Sequence, residues 1–312
     1  MKKNTHIKIT IFITLICLLV SPLIYKQPFI KRNIFAKEYN RELKNQIAKD
    51  NALLNVQQGT TRIATLNLLA HYPSWGGNSV AKRKELFYTF LDGYSPDVLG
   101  VQEMCNDWYG EIKRYSLSYK FTSPFTTAFP HKMTAILYNC EKLELIDSGN
   151  TAFSNAVNFK SRRITWAVFR KIDSTEVFTV INTHLSYIPD ASEEAFFIQT
   201  YQINELHRKV NAIYEKYKYP IFIIGDFNTK RHATLETPTV FTGTYGIINS
   251  IYTDAEKIAQ NKFHGENLKF TNTLNDHIFI NGSVTVKNIS LLSQNSFSHL
   301  SDHYPLMVDV IF

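Results

Sequence analysis

Apolar residues along this chain fall into short runs that repeatedly end in a polar side chain. The clearest is Ile221-Phe222-Ile223-Ile224-Gly225-Asp226-Phe227-Asn228. Four apolar residues in a row, three of them Ile, predict a strand buried on both faces. Gly225 closes the run. In extended chain, residues i and i+2 point the same way. Asp226 and Asn228 are therefore expected to project together from the carboxyl end of the strand, where open α/β sheets place ligands. A turn in which Asp and Asn satisfy their own backbone is the alternative at this point.

The pattern recurs along the chain. Residues 62–69 predict a strand that carries Asn67 at its end. Residues 98–101 predict another, running into Gln102-Glu103. Further strands are expected at residues 134–138, 143–147, 164–171 and 176–182, the last followed by Thr183-His184. Helical periodicity marks residues 80–91, with Gly93 as the stop, and residues 191–217. Residues 229–275 read as loops with short helices, before strands at 277–280 and 306–311. Many strands with interspersed helices predict an α/β domain with large sheets over residues 61–312. No internal repeat is visible.

The N-terminal residues differ in kind. Residues 1–8 are basic, and residues 9–25 are almost uninterruptedly apolar, softened by Thr10, Thr14, Ser21 and Pro22. This predicts a signal anchor or signal peptide over residues 1–25. Its length is at the short limit for a membrane span. No small-x-small cleavage site follows closely, which favours an uncleaved anchor and a membrane-bound protein, or a secreted one if the segment is removed. More Lys and Arg follow the segment than precede it, which opposes translocation of the domain. Residues 26–60 are polar and basic, with Ile30, Ile34, Leu43, Ile47 and Leu54 on one weak stripe. They predict a helical linker in solvent.

Charge changes the picture only by its location. The formal net charge is +7, and residues 1–60 carry all of it, with ten Lys/Arg against three Asp/Glu. The remainder balances, so the expected domain has no overall excess to draw it to a polyanion. Cys17, Cys105 and Cys140 form no framework. Cys105 and Cys140 read as two ordinary buried thiols, with a disulfide as the alternative for an exported domain.

Several predicted strands end in chemically useful residues: Asn67, Glu103, His184, Asp226 with Asn228, Asp276, and Asp302-His303. So many strand ends carrying acids, amides and histidines point to one shared site. The residue types fit metal-assisted cleavage of a phosphate ester. Magnesium takes oxygen ligands and keeps waters, so few carboxylates suffice. Glu103 is the leading ligand candidate, followed by Asn67 and Asp302. Histidines suit proton transfer and charge donation to phosphate. The chain has no Cys pair, Walker loop or Gly-x-Ser-x-Gly elbow, which argues against Cys-ligated zinc, nucleotide-cradling and serine-hydrolase chemistries.

Leu66-Asn67, Gln102-Glu103, Asn182-Thr183-His184-Leu185, Gly225-Asp226-Phe227-Asn228, Asn275-Asp276-His277-Ile278-Phe279 and Ser301-Asp302-His303-Tyr304-Pro305 together resemble the endonuclease/exonuclease/phosphatase superfamily, the deoxyribonuclease I-like fold. The resemblance runs over residues 61–312, with the motifs in the family's order. It implies an α/β four-layer α-β-β-α sandwich, with two mixed β-sheets packed face to face and helices outside. It also implies roles. Glu103 would hold Mg2+ (or Mn2+ or Ca2+), helped by Asn67 and Asp302. Asp226 would orient or deprotonate the attacking water, and Asn228 would contact the phosphate. His184 and His303 would flank the scissile phosphate, with Asp276 fixing the His303 tautomer. Arg162 stands where many members carry a phosphate-binding Arg, with Arg163 as its rival. Trp75 and Arg83 resemble a Trp-then-Arg pattern of some members, with helix-start packing and surface charge as the plainer reading. Two departures stand out. Lys132 lies near where many members have a Glu supporting the first catalytic His, so His184 needs another acceptor. Leu69 replaces an acid of AP endonucleases, which opposes that activity and a two-metal site.

The expected function is a magnesium-dependent phosphodiesterase of the nuclease type, with nucleic acid the favoured substrate. The alternatives are a phospholipid or sphingomyelin phosphodiesterase or an inositol-phosphate phosphatase, for which the N-terminal segment and Phe121, Phe125 and Phe129 would offer a membrane-facing rim. An inactive binding homologue is the third reading, and the near-complete acid/His set opposes it. No protein partner is predicted.

Overall fold

The structure is a computed structural model that describes residues 38–52, 54, 59–70, 79–115, 117–122, 133–154, 162–187, 193–230, 244–270 and 274–312. The chain begins with α1 (residues 38–52), β1 (Thr61–Asn67), α2 (Val80–Tyr94), β2 (Val98–Gln102), α3 (Asn106–Tyr115), β3 (Tyr119–Phe121) and β4 (Thr134–Asn139). There follow β5 (Leu143–Ala152), β6 (Arg163–Lys171), β7 (Val177–His184), α4 (Glu193–Tyr217) and β8 (Ile221–Asp226). The remainder holds α5 (Tyr245–Ile251), β9 (Thr253–Asp254), α6 (Ala255–Ile258), β10 (Asn261–His264), β11 (Asp276–Asn281), β12 (Thr285–Leu291) and β13 (Leu306–Ile311), with a 3-10 turn at Asn295–His299.

Side-chain alternation explains the layers. In β1, Ile63 enters a core shared by both sheets, whereas Ala64 and Leu66 enter a cluster on the other face. A strand with two apolar faces must be covered twice. One sheet has seven strands in the order β10-β12-β13-β1-β2-β4-β3, and the other six in the order β5-β6-β7-β8-β11-β9. Both are mixed: β1/β2, β10/β12 and β7/β8 pair parallel, and the other pairs antiparallel. Phe169, Phe178, Phe222 and Ile224 meet Ile63, Val98 and Val308 between the sheets. Outside, α1, α2 and α3 cover the first sheet through Leu43, Phe87, Phe90 and Trp108. On the second sheet, Ile203, Leu206 and Val210 of α4 and Ile248 of α5 cover Ile181, Ile221 and Ile223. This is the expected four-layer sandwich.

The expectation of a solvated linker helix is corrected. Leu43, Ile47 and Leu54 are buried in the same cluster as α2. Thr89 donates to Asn40, the Tyr94 hydroxyl donates to Asp50, and Asn51 donates to the Gly93 carbonyl at 2.9 Å. Gly93 does not stop α2, which runs one residue further and ends on a left-handed Ser95. A Cβ at 93 would lie 2.5 Å from the Ile47 side chain, so Gly93 is where α1 crosses α2 closely. Leu43→Ala is expected to cost about 2–4 kcal/mol of stability, the usual range for a buried Leu. Urea unfolding checks it, and a change under about 0.5 kcal/mol, as at an exposed site, would mean that α1 does not dock in solution.

Five elements escaped the sequence pattern: α3, β12 and the short strands β3, β9 and β10. In β12 a register shift between Val286 and Asn288 sends Val286, Ile289 and Leu291 to one face, so strict alternation is lost. In α3 only Trp108 and Ile112 are buried, too few for a periodic signal. Cys105 and Cys140 are free thiols, so the disulfide alternative is withdrawn. Both are half-buried rather than fully buried. Among the described residues no helix is long and apolar enough to cross a membrane. The expected signal segment at 1–25 lies outside the described residues.

Candidate active site

Between the sheets, polarity rises toward one end. On β1 the inward positions run Ile63, Thr65, Asn67; on β8 they run Phe222, Ile224, Asp226. Gln102 Nε2 donates to Thr65 Oγ1 at 3.0 Å and to Asn182 Oδ1 at 2.6 Å. Asn182 Nδ2 in turn donates to the carbonyls of Val101 and Ala135 on the opposite sheet. A side chain at Gly100 would lie 2.7 Å from Ile224 and 2.8 Å from Asn182, so this glycine lets the sheets close over the polar layer. The carboxyl ends of β1, β2, β7 and β8 and the amino ends of antiparallel β11 and β13 meet here. Gln102 and Asn182, noted only as parts of motifs, are the fasteners beneath the site.

Asp226 is the centre. Its Oδ2 accepts from Asn67 Nδ2 at 3.0 Å, bridging the two sheets, and lies 3.2 Å from His184 Nε2. Its Oδ1 accepts from the Asn228 N–H at 2.9 Å. Burial opposes the charge on Asp226, yet His184, His303 and Asn67 hold its carboxyl far below the ordinary range. A carboxylate only accepts, so His184 Nε2 carries its proton. Burial, with the nearby Arg162 charge, lowers the His184 pKa and keeps the ring neutral, while Asp226 pulls the other way. Lys132 is outside the described residues; Asp226 is the acceptor that His184 needed.

His303 Nδ1 lies 2.6 Å from Asp276 Oδ2, and its Nε2 is 3.8 Å from Asp226 Oδ2. Burial works against the charged ring, but Asp276, Asp226 and Asp302 push its pKa up to about 10. Burial raises the Asp276 carboxyl to about 6, against the pull of His303. At neutral pH the pair is imidazolium and carboxylate. Asp226, Asp276 and His303 offer ligand atoms within 4.8 Å of one another, as a metal cluster would. The Nδ1 of His303 is already engaged by Asp276, so the trio also forms a hydrogen-bonded relay.

Glu103 sits just past β2 with a left-handed φ of 55°, and its Oε2 accepts from the Ala70 N–H at 3.1 Å. No hydrogen bond among the described residues engages its Oε1. Asn67 Oδ1 accepts from the Leu69 N–H at 3.0 Å, and the Asn67 carbonyl accepts from Ser301 Oγ at 2.6 Å, which brings the Asp302 loop to β1. Glu103, Asn67 and Asp302 together offer oxygen donors only, which fits a hard divalent cation. Arg83 is not surface charge. It is 4% exposed, lies over the Trp108 ring, and donates to the carbonyls of Leu68 (2.5 Å), Leu69 (2.7 Å) and Leu300 (2.8 Å). It thereby ties the loop after β1 to the loop that carries Asp302.

Asn228 departs from the i, i+2 expectation. The strand ends at Asp226, Asn228 has a φ of 48°, and its Nδ2 donates to the Leu185 carbonyl at 2.9 Å. The self-satisfying Asx turn is what forms. Of the two arginines, Arg162 acts electrostatically on His184, whereas Arg163 is buried and donates to Asn150 on β5. Phe121 packs against Tyr109 and is half-buried. Trp75, Phe125 and Phe129 lie outside the described residues.

A profile of the Endonuclease/Exonuclease/phosphatase family matches residues 55–303, from shortly before β1 to His303. The chain belongs to this family. Its members are phosphoester hydrolases. A search of curated proteins finds no match. Among solved structures, a family member from Bacteroides vulgatus is 22% identical, covering 80% of this chain and 98% of that one, with a TM-score of 0.65. A mannosyl-6-phosphatase from Bacteroides thetaiotaomicron is 18% identical over 81% and 100%, at 0.64. The human Nocturnin catalytic domain is 20% identical over 82% and 96%, at 0.58. At these identities the likeness speaks for the family's fold and not for a substrate.

Asp276→Asn is expected to lower kcat on a phosphate ester about 10²-fold or more, because the His303 tautomer and charge are no longer held. The alkaline limb of the pH–rate profile should also move down. Asp276 helps hold His303 as a cation, and losing it lets the ring deprotonate at lower pH. An unmoved limb would free His303 of that role.

Proposed function

We propose that the chain is a magnesium-dependent phosphodiesterase of the nuclease type. The observation that supports it is the convergence of Asn67, His184, Asp226, Asp276 and His303, drawn from both sheets, at one end of the sandwich. Glu103, with Asn67 and Asp302, would hold the cation, which when bound supplies positive charge to the phosphate. Asp226 is too acidic to be a strong base, since a general base works best with a pKa near the operating pH. It suits orienting the attacking water. Cationic His303, aimed toward Asp226, donates to the phosphate and to the departing oxygen. Asn228 and Arg162 contact the remaining oxygens.

The formal neutrality of residues 61–312 favours a second reading, a small phosphate ester or lipid headgroup in place of duplex nucleic acid. The full chain, assayed with magnesium chloride and with chelator, decides between them on plasmid DNA, RNA, sphingomyelin vesicles, inositol phosphates and 4-nitrophenyl phosphate. Nicking that is lost in Glu103→Gln and His184→Ala supports the nuclease reading. Turnover of a small ester or lipid alone overturns it in favour of the second. No turnover and no magnesium-dependent thermal shift would overturn both.

A further inference from the structure

Two glutamines one turn apart on α4, Gln199 and Gln202, are fully buried. A buried amide left unpaired costs about 1–3 kcal/mol, so such groups sit where partners wait. Gln199 Nε2 donates to the carbonyls of Ser186 (2.8 Å), Asn228 (3.0 Å) and Phe227 (3.1 Å), one proton being shared between two of them. Its Oε1 accepts from Thr244 Oγ1 at 2.6 Å. Gln202 Oε1 accepts from the Ser186 N–H at 2.9 Å, and its Nε2 donates to Ser186 Oγ at 2.8 Å.

Ser186 belongs to the loop that leaves β7 just after His184. Phe227 and Asn228 belong to the loop that leaves β8 just after Asp226. The two loops are laced directly as well: the Leu185 N–H donates to the Asp226 carbonyl at 3.0 Å, and Asn228 Nδ2 donates to the Leu185 carbonyl at 2.9 Å. Asn228 is held in the left-handed region, a conformation that a non-glycine residue keeps only when its surroundings hold it there. Gln199 grips the carbonyl of that same residue. The amide is thus the point at which α4 fixes both loops at once.

We propose that Gln199 is a positioning residue for catalysis: its carboxamide clips the β7 loop to the β8 loop and sets Asn228 and His184 against Asp226. The proposal rests on the phosphoester-hydrolase reading of those three residues. A methionine at 199 fills similar volume and leaves three carbonyls without their donor. The fold, carried by the apolar face of α4, persists, while the loops lose register at the site.

The test uses the full chain, Gln199→Met, and bis(4-nitrophenyl) phosphate with magnesium chloride. A folded variant is expected to lose about 10- to 100-fold in kcat, with KM changed by no more than about twofold. Adding Asn228→Ala should then cost much less than Asn228→Ala costs alone, because the two act through one arrangement. A wild-type kcat in folded Gln199→Met, or effects that simply multiply, would overturn the proposal. Amide hydrogen exchange gives a readout without turnover. Faster exchange at Leu185 and Asn228, with β1 and β13 unchanged, supports the clip, and unchanged exchange at both amides overturns it. A wild-type chain that turns over no phosphate ester overturns the hydrolase reading, and the exchange result still decides whether Gln199 holds the loops.

Discussion

Asp226→Asn is expected to give a folded protein with kcat reduced about 10³-fold or more on any phosphate ester that the wild type cleaves. The carboxylate accepts from Asn67, His184 and the Asn228 N–H, so all three neighbours present donors. A carboxamide has one accepting oxygen and one donating nitrogen. Whichever way it turns, its NH2 faces a donor, and His184 or the Asn228 backbone loses its acceptor. The negative charge that holds water and faces His303 is also lost. Stability should change with a particular pH signature. The folded pKa of Asp226 is depressed. Its contribution is therefore complete above the unfolded value of about 3.9 and is lost as pH falls toward the folded one. The stability gap between wild type and variant should be widest at neutral pH and close below about pH 4. Steady-state kinetics and acid–urea titration measure both effects. A kcat within about tenfold of wild type would remove Asp226 from the centre of the site.

The second large effect concerns the residue before it. Gly225→Ala is expected to destabilise the chain by about 4 kcal/mol, or about 8–16 °C in Tm for a domain of this size. Gly225 has a φ of 143°, outside what alanine adopts without strain. It pairs with Thr183 across the parallel β7/β8 ladder. A Cβ there would lie 2.0 Å from the Thr183 carbonyl oxygen and 2.9 Å from its carbon. These are backbone atoms, so no rotamer change relieves the clash. The strands would have to part beside His184 and Asp226, and activity should fall with stability. A thermal melt within about 3 °C of wild type would show that the ladder yields at small cost.

Strand ends were legible in the sequence because burial on both faces writes itself as an apolar run, and a polar residue closing that run has to face the open end. Asn67, His184 and Asp226 close their runs in this way, Asp276 and His303 stand before theirs on antiparallel strands, and the structure brings all five together. What was not legible depended on partners distant in the chain. Gly93 reads as a helix stop until Ile47 is placed against it. Arg83 reads as surface charge until three carbonyls from two loops are seen to converge on it. Asn228 was misdirected by a rule that holds only while the chain stays extended, and the chain turns at Asp226. The β12 bulge broke the alternation by which a strand is recognised.

The position of β1 carries a consequence for timing. It lies between β2, its early neighbour in the chain, and β13, which is made more than 200 residues later. Ser301 and His303 stand shortly before β13, so they reach Asn67 and Asp226 only when that strand zips onto β1. A chain whose β13 has not yet paired lacks the His303 ring at the site, however well its first strands have folded. Folding that waits on such distant pairing is also slow. Whatever hydrolytic capacity the protein has therefore hangs on one distant strand pairing, and a chain that has not made it is inert.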